Sequence, residues 1–268
     1  MFHVGMLIPC YAPTRLTASV VALCLLTQVA GAAGDWVEVE QRGVVEVRSE
    51  FAMDQAEWDN MFRELNGLQA DLEGLLHLRP SNQIIEINLF RTKSSYQEFL
   101  RARVPEGVTR KALYVPGTDR GRVYVYRHWG YETDLRHEFT HALLHSSLPF
   151  VPMWLDEGFA EYFEVQANQR SHHNPHLGEL KRRLLFGWGP NLANLEGKSD
   201  LSQMDGADYR ECWAWVHFMM HGPDEVRQVL ANYLHNVEQG NPAGQLGDHL
   251  RESIDLDAQL LRHFRQWK

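Results

Sequence analysis

The sequence is poor in cysteine, with three in 268 residues. A disulfide-stapled scaffold is thereby excluded. It has no basic stripe: 26 Lys and Arg face 35 Asp and Glu, for a formal charge of −9. General nucleic-acid binding by electrostatics is not expected of such a chain. No internal repeat, low-complexity tract or linker is present, and the 44% hydrophobic content is ordinary for a chain that buries a full core. The one long apolar run, Leu16 to Val29, carries Thr17, Ser19, Thr27 and Gln28 and is short for a membrane span.

That run reads as the centre of an export signal, residues 1–32. Arg15 is its only charged residue, and Ala30-Gly31-Ala32-Ala33 offers a small-residue cleavage site after Ala32. An uncleaved N-terminal anchor is the other reading of the same segment. Cleavage would remove Cys10 and Cys24 and leave Cys212, which as a lone cysteine is expected to be a buried apolar residue. The mature chain, 33–268, is thus expected outside the cytoplasm, with no membrane insertion beyond the signal.

Alternation in Val37–Val39 and Val44–Phe51 around Arg42-Gly43 predicts a hairpin. Asp54 caps a helical pattern from Ala56 to Leu78, with apolar residues at 3.6-residue spacing. Strands are expected at Ile84–Phe90, Ala112–Val115 and Arg122–Tyr126, with a short helix at Ser94–Ala102. From Glu132 the pattern is helical: 132–147, 153–168, 176–186, 207–220, 224–238, 244–251 and 255–266. The fold class is therefore α+β, with a small mixed or antiparallel N-terminal sheet over 33–131 and a mainly helical half over 132–268.

Within the first of those helices lies His137-Glu138-Phe139-Thr140-His141, an H-E-x-x-H; about 0.06 such matches are expected by chance in this composition. Residues four apart stand on one helix face, so His137 and His141 can aim at one ion. Glu138 can reach a water at that ion without being a ligand. Two imidazoles, a third protein ligand and water form the usual arrangement of catalytic zinc. After His141, fifteen intervening residues lead to Glu157, in Trp154-Leu155-Asp156-Glu157-Gly158-Phe159-Ala160-Glu161-Tyr162-Phe163. Pro149 and Pro152 should break the chain into a helical hairpin that returns Glu157 to the histidines. The continuation with a glycine and a third histidine fails, since Leu144 and Ser147 stand at those positions. His145 reads as a packing or supporting residue. His172, His173 and His176 read as a solvated loop, Lys181-Arg182-Arg183 as a solvated face, and Trp213, Trp215, Phe218 and Met219 as core.

His137–His141 and Trp154–Phe163 together resemble the gluzincin zinc peptidases, and more closely the peptidase MA-like family. The resemblance covers under a tenth of the mature chain. It implies a zincin-type helical half, Zn²⁺ on His137, His141 and Glu157, and Glu138 as general base. It further implies that Glu161 hydrogen-bonds His137, that Tyr209 (with His217 as second choice) stabilises the oxyanion, and that the strand Arg122–Tyr126 is an edge for an extended peptide substrate. The G-x-M-E-N sequence and large β-domain of the aminopeptidase members are missing, so an endopeptidase or narrow processing peptidase is implied. A metal-dependent amidase on cell-wall peptide, and a binding protein that keeps the zinc fold without catalysis, are the competing readings.

Overall fold

Asp54 begins the first helix as a full capping box. Its carboxylate accepts the Glu57 N–H at 2.8 Å while Glu57 accepts the Asp54 N–H at 3.0 Å. In the computed structural model, which describes residues 36–241 and 244–267, this helix α1 (Gln55–Leu76) follows a hairpin of β1 (Glu38–Arg42) and β2 (Val45–Ser49). It ends two residues earlier than its periodicity predicts, because His77 takes a left-handed conformation, φ 54°. Next come β3 (Ile84–Phe90), α2 (Lys93–Arg103), β4 (Ala112–Val115) and β5 (Arg120–Tyr126). The α+β class is as read from the sequence.

The five strands form one mixed sheet in the order β1-β2-β3-β5-β4. β2, β3 and β5 run parallel, while β1 and β4 are antiparallel to their neighbours. Residues alternate between the two faces. Val45, Val47, Ile85, Ile87, Leu89, Val123 and Val125 enter the main core with α1 and the helical half, while Phe90, Tyr124 and Tyr126 form a smaller aromatic core with Tyr96 and Leu100 of α2. Beyond that aromatic patch, buried Glu86 takes Arg48 and Arg120, each at 3.1 Å.

The helical half comprises α3 (Tyr131–Ser147), α4 (Met153–Phe163), α5 (Pro175–Leu185), α6 (Leu192–Glu196), α7 (Gly206–His221), α8 (Asp224–Glu238), α9 (Leu246–Ser253) and α10 (Leu256–Gln266). α7 is its axis: Cys212 to Met219 are all buried, as expected for a helix covered on every side. Cys212 is a free, buried thiol. Gly158 lets α4 lie directly on α7, since a Cβ there would stand 2.6 Å from the Cys212 carbonyl oxygen. The prolines break the chain between α3 and α4 as expected. α4 stops at Phe163 rather than 168, where Arg136 of α3 takes the Glu164 carbonyl and bonds Glu64 as well. The five-residue α6 was not expected from periodicity. The export signal lies outside the described residues, among which no helix is long and apolar enough to cross a membrane.

Candidate metal centre

α3 contributes His137 and His141, one turn apart, and α4 folds back to set Glu157 against both. Glu157 Oε2 lies 3.5 Å from His137 Nε2 and 3.7 Å from His141 Nε2. Ligands at 2.0–2.2 Å on tetrahedral zinc are separated by about 3.4 Å. The two Glu157 separations are close to that value, all three donor atoms lie within 4.8 Å of one another, and the group can hold a metal ion.

Each histidine is turned by a carboxylate on its far nitrogen. His137 Nδ1 bonds Glu164 Oε2 at 3.0 Å. His141 Nδ1 is 2.9 Å from Asp156 Oδ1, a close ion-pair contact whose alignment is not that of a hydrogen bond, and the other Asp156 oxygen meets His145 Nε2 at 2.9 Å. Such partners fix the ring orientation and leave Nε2 facing the shared point. Burial alone would push both imidazoles down. Hydrogen bonds to Glu157 and Glu164 instead hold His137 well above its ordinary value, and Asp156 holds His141 at about 9. Burial works to raise the Asp156 carboxyl, but His141 and His145 hold it well below the usual carboxylate range. Carboxylates thus face both rings.

Here the structure departs from the resemblance. Glu161, within 4.8 Å of the His137 donor atoms, bonds His176 Nε2 at 2.6 Å; the residue holding His137 is Glu164. His176 is accordingly not part of a solvated loop but sits in the first turn of α5. Since removal of a second partner of a metal-ligating histidine typically costs 10–100-fold in affinity, Asp156→Ala and Glu164→Ala should each weaken metal binding by about that factor. Glu161→Ala should change it far less. Competition titration with a chromophoric chelator would decide; a Glu161 effect as large as that of Glu164 would reverse the assignment.

The second departure concerns the sheet. β5 is flanked by β3 and β4, so Arg122–Tyr126 has no open edge; the free edge beside the site is β4. Its Tyr114 N–H points away from β5 and donates to Glu138 Oε2 at 2.7 Å. The Tyr114 ring stacks near-parallel with His141, centroids 6.5 Å apart. Burial and the nearby Asp156 charge push its phenol up to about 12.

Tyr209, in the first turn of α7, is half-buried, and its phenol is pushed up to about 12 by burial and then by the charge of Glu157. It stays protonated on the side of α7 that senses the site. His217 does not serve as its alternate. It is fully buried, with Nδ1 3.0 Å from His263 Nε2 and Nε2 2.9 Å from the Ser171 carbonyl.

That second histidine group makes its own prediction. His217 is lowered to about 3, His221 and His263 to about 4, by burial first. The facing groups are His172, Arg227, the Tyr162 hydroxyl on His221 and the Trp267 ring. Below about pH 6.5 the unfolded chain binds protons that the fold refuses, so stability falls from there toward about pH 4, by up to ~1.4 kcal/mol per unit per histidine. Melting temperature should therefore drop over this window, with a smaller slope in His263→Gln. An equal slope in the variant would clear the cluster of this role.

No protein-family model matches the chain, and no curated protein matches it in sequence.

Proposed function

We propose that the chain is a zinc-dependent peptide-bond hydrolase of gluzincin type that works outside the cytoplasm. The observation that carries this reading is the convergence of the His137, His141 and Glu157 donor atoms within 4.8 Å of one another, each histidine with a carboxylate beside its other ring nitrogen and Glu138 next in sequence to His137. The apolar segment 16–29 and the small residues at 30–33 support export.

Bound zinc supplies a Lewis acid that polarises the scissile carbonyl and acidifies water. His137, His141 and Glu157 would hold it. Glu138 takes the proton from the attacking water and returns it to the leaving amine. Its bond to Tyr114 N–H keeps the carboxylate in reach of the open β4 edge, where an extended substrate backbone can lie. Tyr209, kept protonated, is the donor available from α7 for the oxyanion.

The test is elemental mass spectrometry of purified wild type beside His141→Ala, followed by a cleavage screen with unfolded proteins and cell-wall peptides. About one zinc per chain, lost in the variant, with cleavage of the protein substrates, supports the reading. Zinc without any hydrolysis would leave a binding protein, and cleavage confined to cell-wall peptide would make it an amidase. Absence of zinc after reloading would end the proposal.

A further inference from the structure

The cleft of about 350 Å³ beside His137 and Glu138 is lined by groups of both signs. Asp134, Glu161 and Glu164 line it together with Arg110 and Lys111, which lead into β4 at Ala112. The acidic groups are already engaged. Asp134 lies 2.8 Å from His128 Nε2, Glu161 bonds His176, and Glu164 bonds His137. Glu138 accepts the Tyr114 N–H.

The basic groups are not engaged. Arg110 and Lys111 are exposed, and neither side chain has an ion pair or hydrogen bond among the described residues. In a chain of formal charge −9, Arg110 and Lys111 are two cations of this cleft without a carboxylate partner among the described residues. Lys111 directly precedes the free edge strand, and at about 3.3 Å per residue Arg110 is at most ~13 Å along the chain from Tyr114. A peptide laid on β4 must pass both cations within about four residues of the bond held at Glu138.

We propose that Arg110 and Lys111 form a subsite for an acidic side chain of an extended peptide substrate, giving the enzyme a preference for Glu or Asp near the scissile bond. This rests on the reading of the site as a peptidase. Two partly exposed charge pairs should together favour an acidic residue by about tenfold in affinity at low salt. The effect should shrink at high salt, where exposed pairs are screened.

The test uses zinc-loaded Glu138→Gln protein as a receptor and two series of fluorescein-labelled dodecapeptides, identical except for Glu or Gln at one position walked along the sequence. Fluorescence anisotropy should show the Glu peptide binding about tenfold tighter at one or two adjacent positions. That advantage should vanish when Arg110→Ser and Lys111→Ser are added, with zinc content unchanged. No Glu advantage at any position, an advantage that survives the double substitution, or no binding of either series overturns the inference. Wild-type cleavage of the Gln series reports separately on the peptidase reading. Cleavage without Glu preference defeats the subsite alone, while charge-dependent binding without any wild-type cleavage keeps the subsite and defeats the peptidase.

Discussion

Glu138→Gln is expected to keep zinc at the wild-type level and to lose hydrolysis by about 10²–10⁴-fold, the span of a removed general acid–base group. The amide has the shape of the carboxylate, and its oxygen can still accept the Tyr114 N–H now held at 2.7 Å. β4 therefore stays anchored to α3. His137, His141 and Glu157 are untouched, so the ligand set survives. What disappears is the ability to take and return a proton. Glu138→Ala should match the glutamine variant in activity but melt lower, because it also strands the Tyr114 amide, at a cost of about 1–3 kcal/mol. Turnover by Glu138→Gln within tenfold of wild type would mean that another group handles the proton.

Gly158→Ala should destabilise the protein by about 1–3 kcal/mol, the usual cost of forcing a methyl into a filled core. The added Cβ would stand 2.6 Å from the Cys212 carbonyl oxygen and 2.7 Å from Val216 Cγ2. A helix carbonyl cannot swing aside as a flexible side chain can, so α4 must back away from α7. Glu157, the adjacent residue, moves with it, and zinc affinity should fall in parallel. Gly67, exposed in the middle of α1 with nothing within 4 Å of an added Cβ, supplies the opposite case. Alanine there should stabilise by up to about 1 kcal/mol through helix propensity. Thermal melts of the two variants, with chelator titrations of the first, check both signs. A Gly158→Ala protein as stable as wild type would show that α4 and α7 are not in such close contact.

The parts of this site legible in the sequence are those governed by short-range geometry. The helix period places His137 over His141, and Pro149 with Pro152 turns the chain so that Glu157 returns. Asp156 was hidden because an acid in the first turn of a helix is favoured there for its own sake, by the helix dipole. Its function depends on a ring four residues after His141 as much as on His141 itself. Glu164 was hidden because the apolar pattern runs on past Phe163; only the Arg136 bond to the Glu164 carbonyl ends the helix and turns that carboxylate toward His137. The nearer acid, Glu161, therefore drew the role. In the sheet, each strand was readable from alternation, yet β3 beside β5 rather than β4 is a long-range choice that alternation does not encode. The error about the edge strand follows from that.

The Tyr114–Glu138 contact bears on solubility as well. A short strand with outward-pointing amides invites pairing with a strand of any other chain, and folded proteins commonly guard such borders with an inward-facing charge. Glu138 supplies that guard at β4: an ionised carboxylate covers the outward Tyr114 amide, so a second molecule joining its sheet there must displace and desolvate a charge. Neutralising Glu138 therefore lowers a barrier to self-association at this edge.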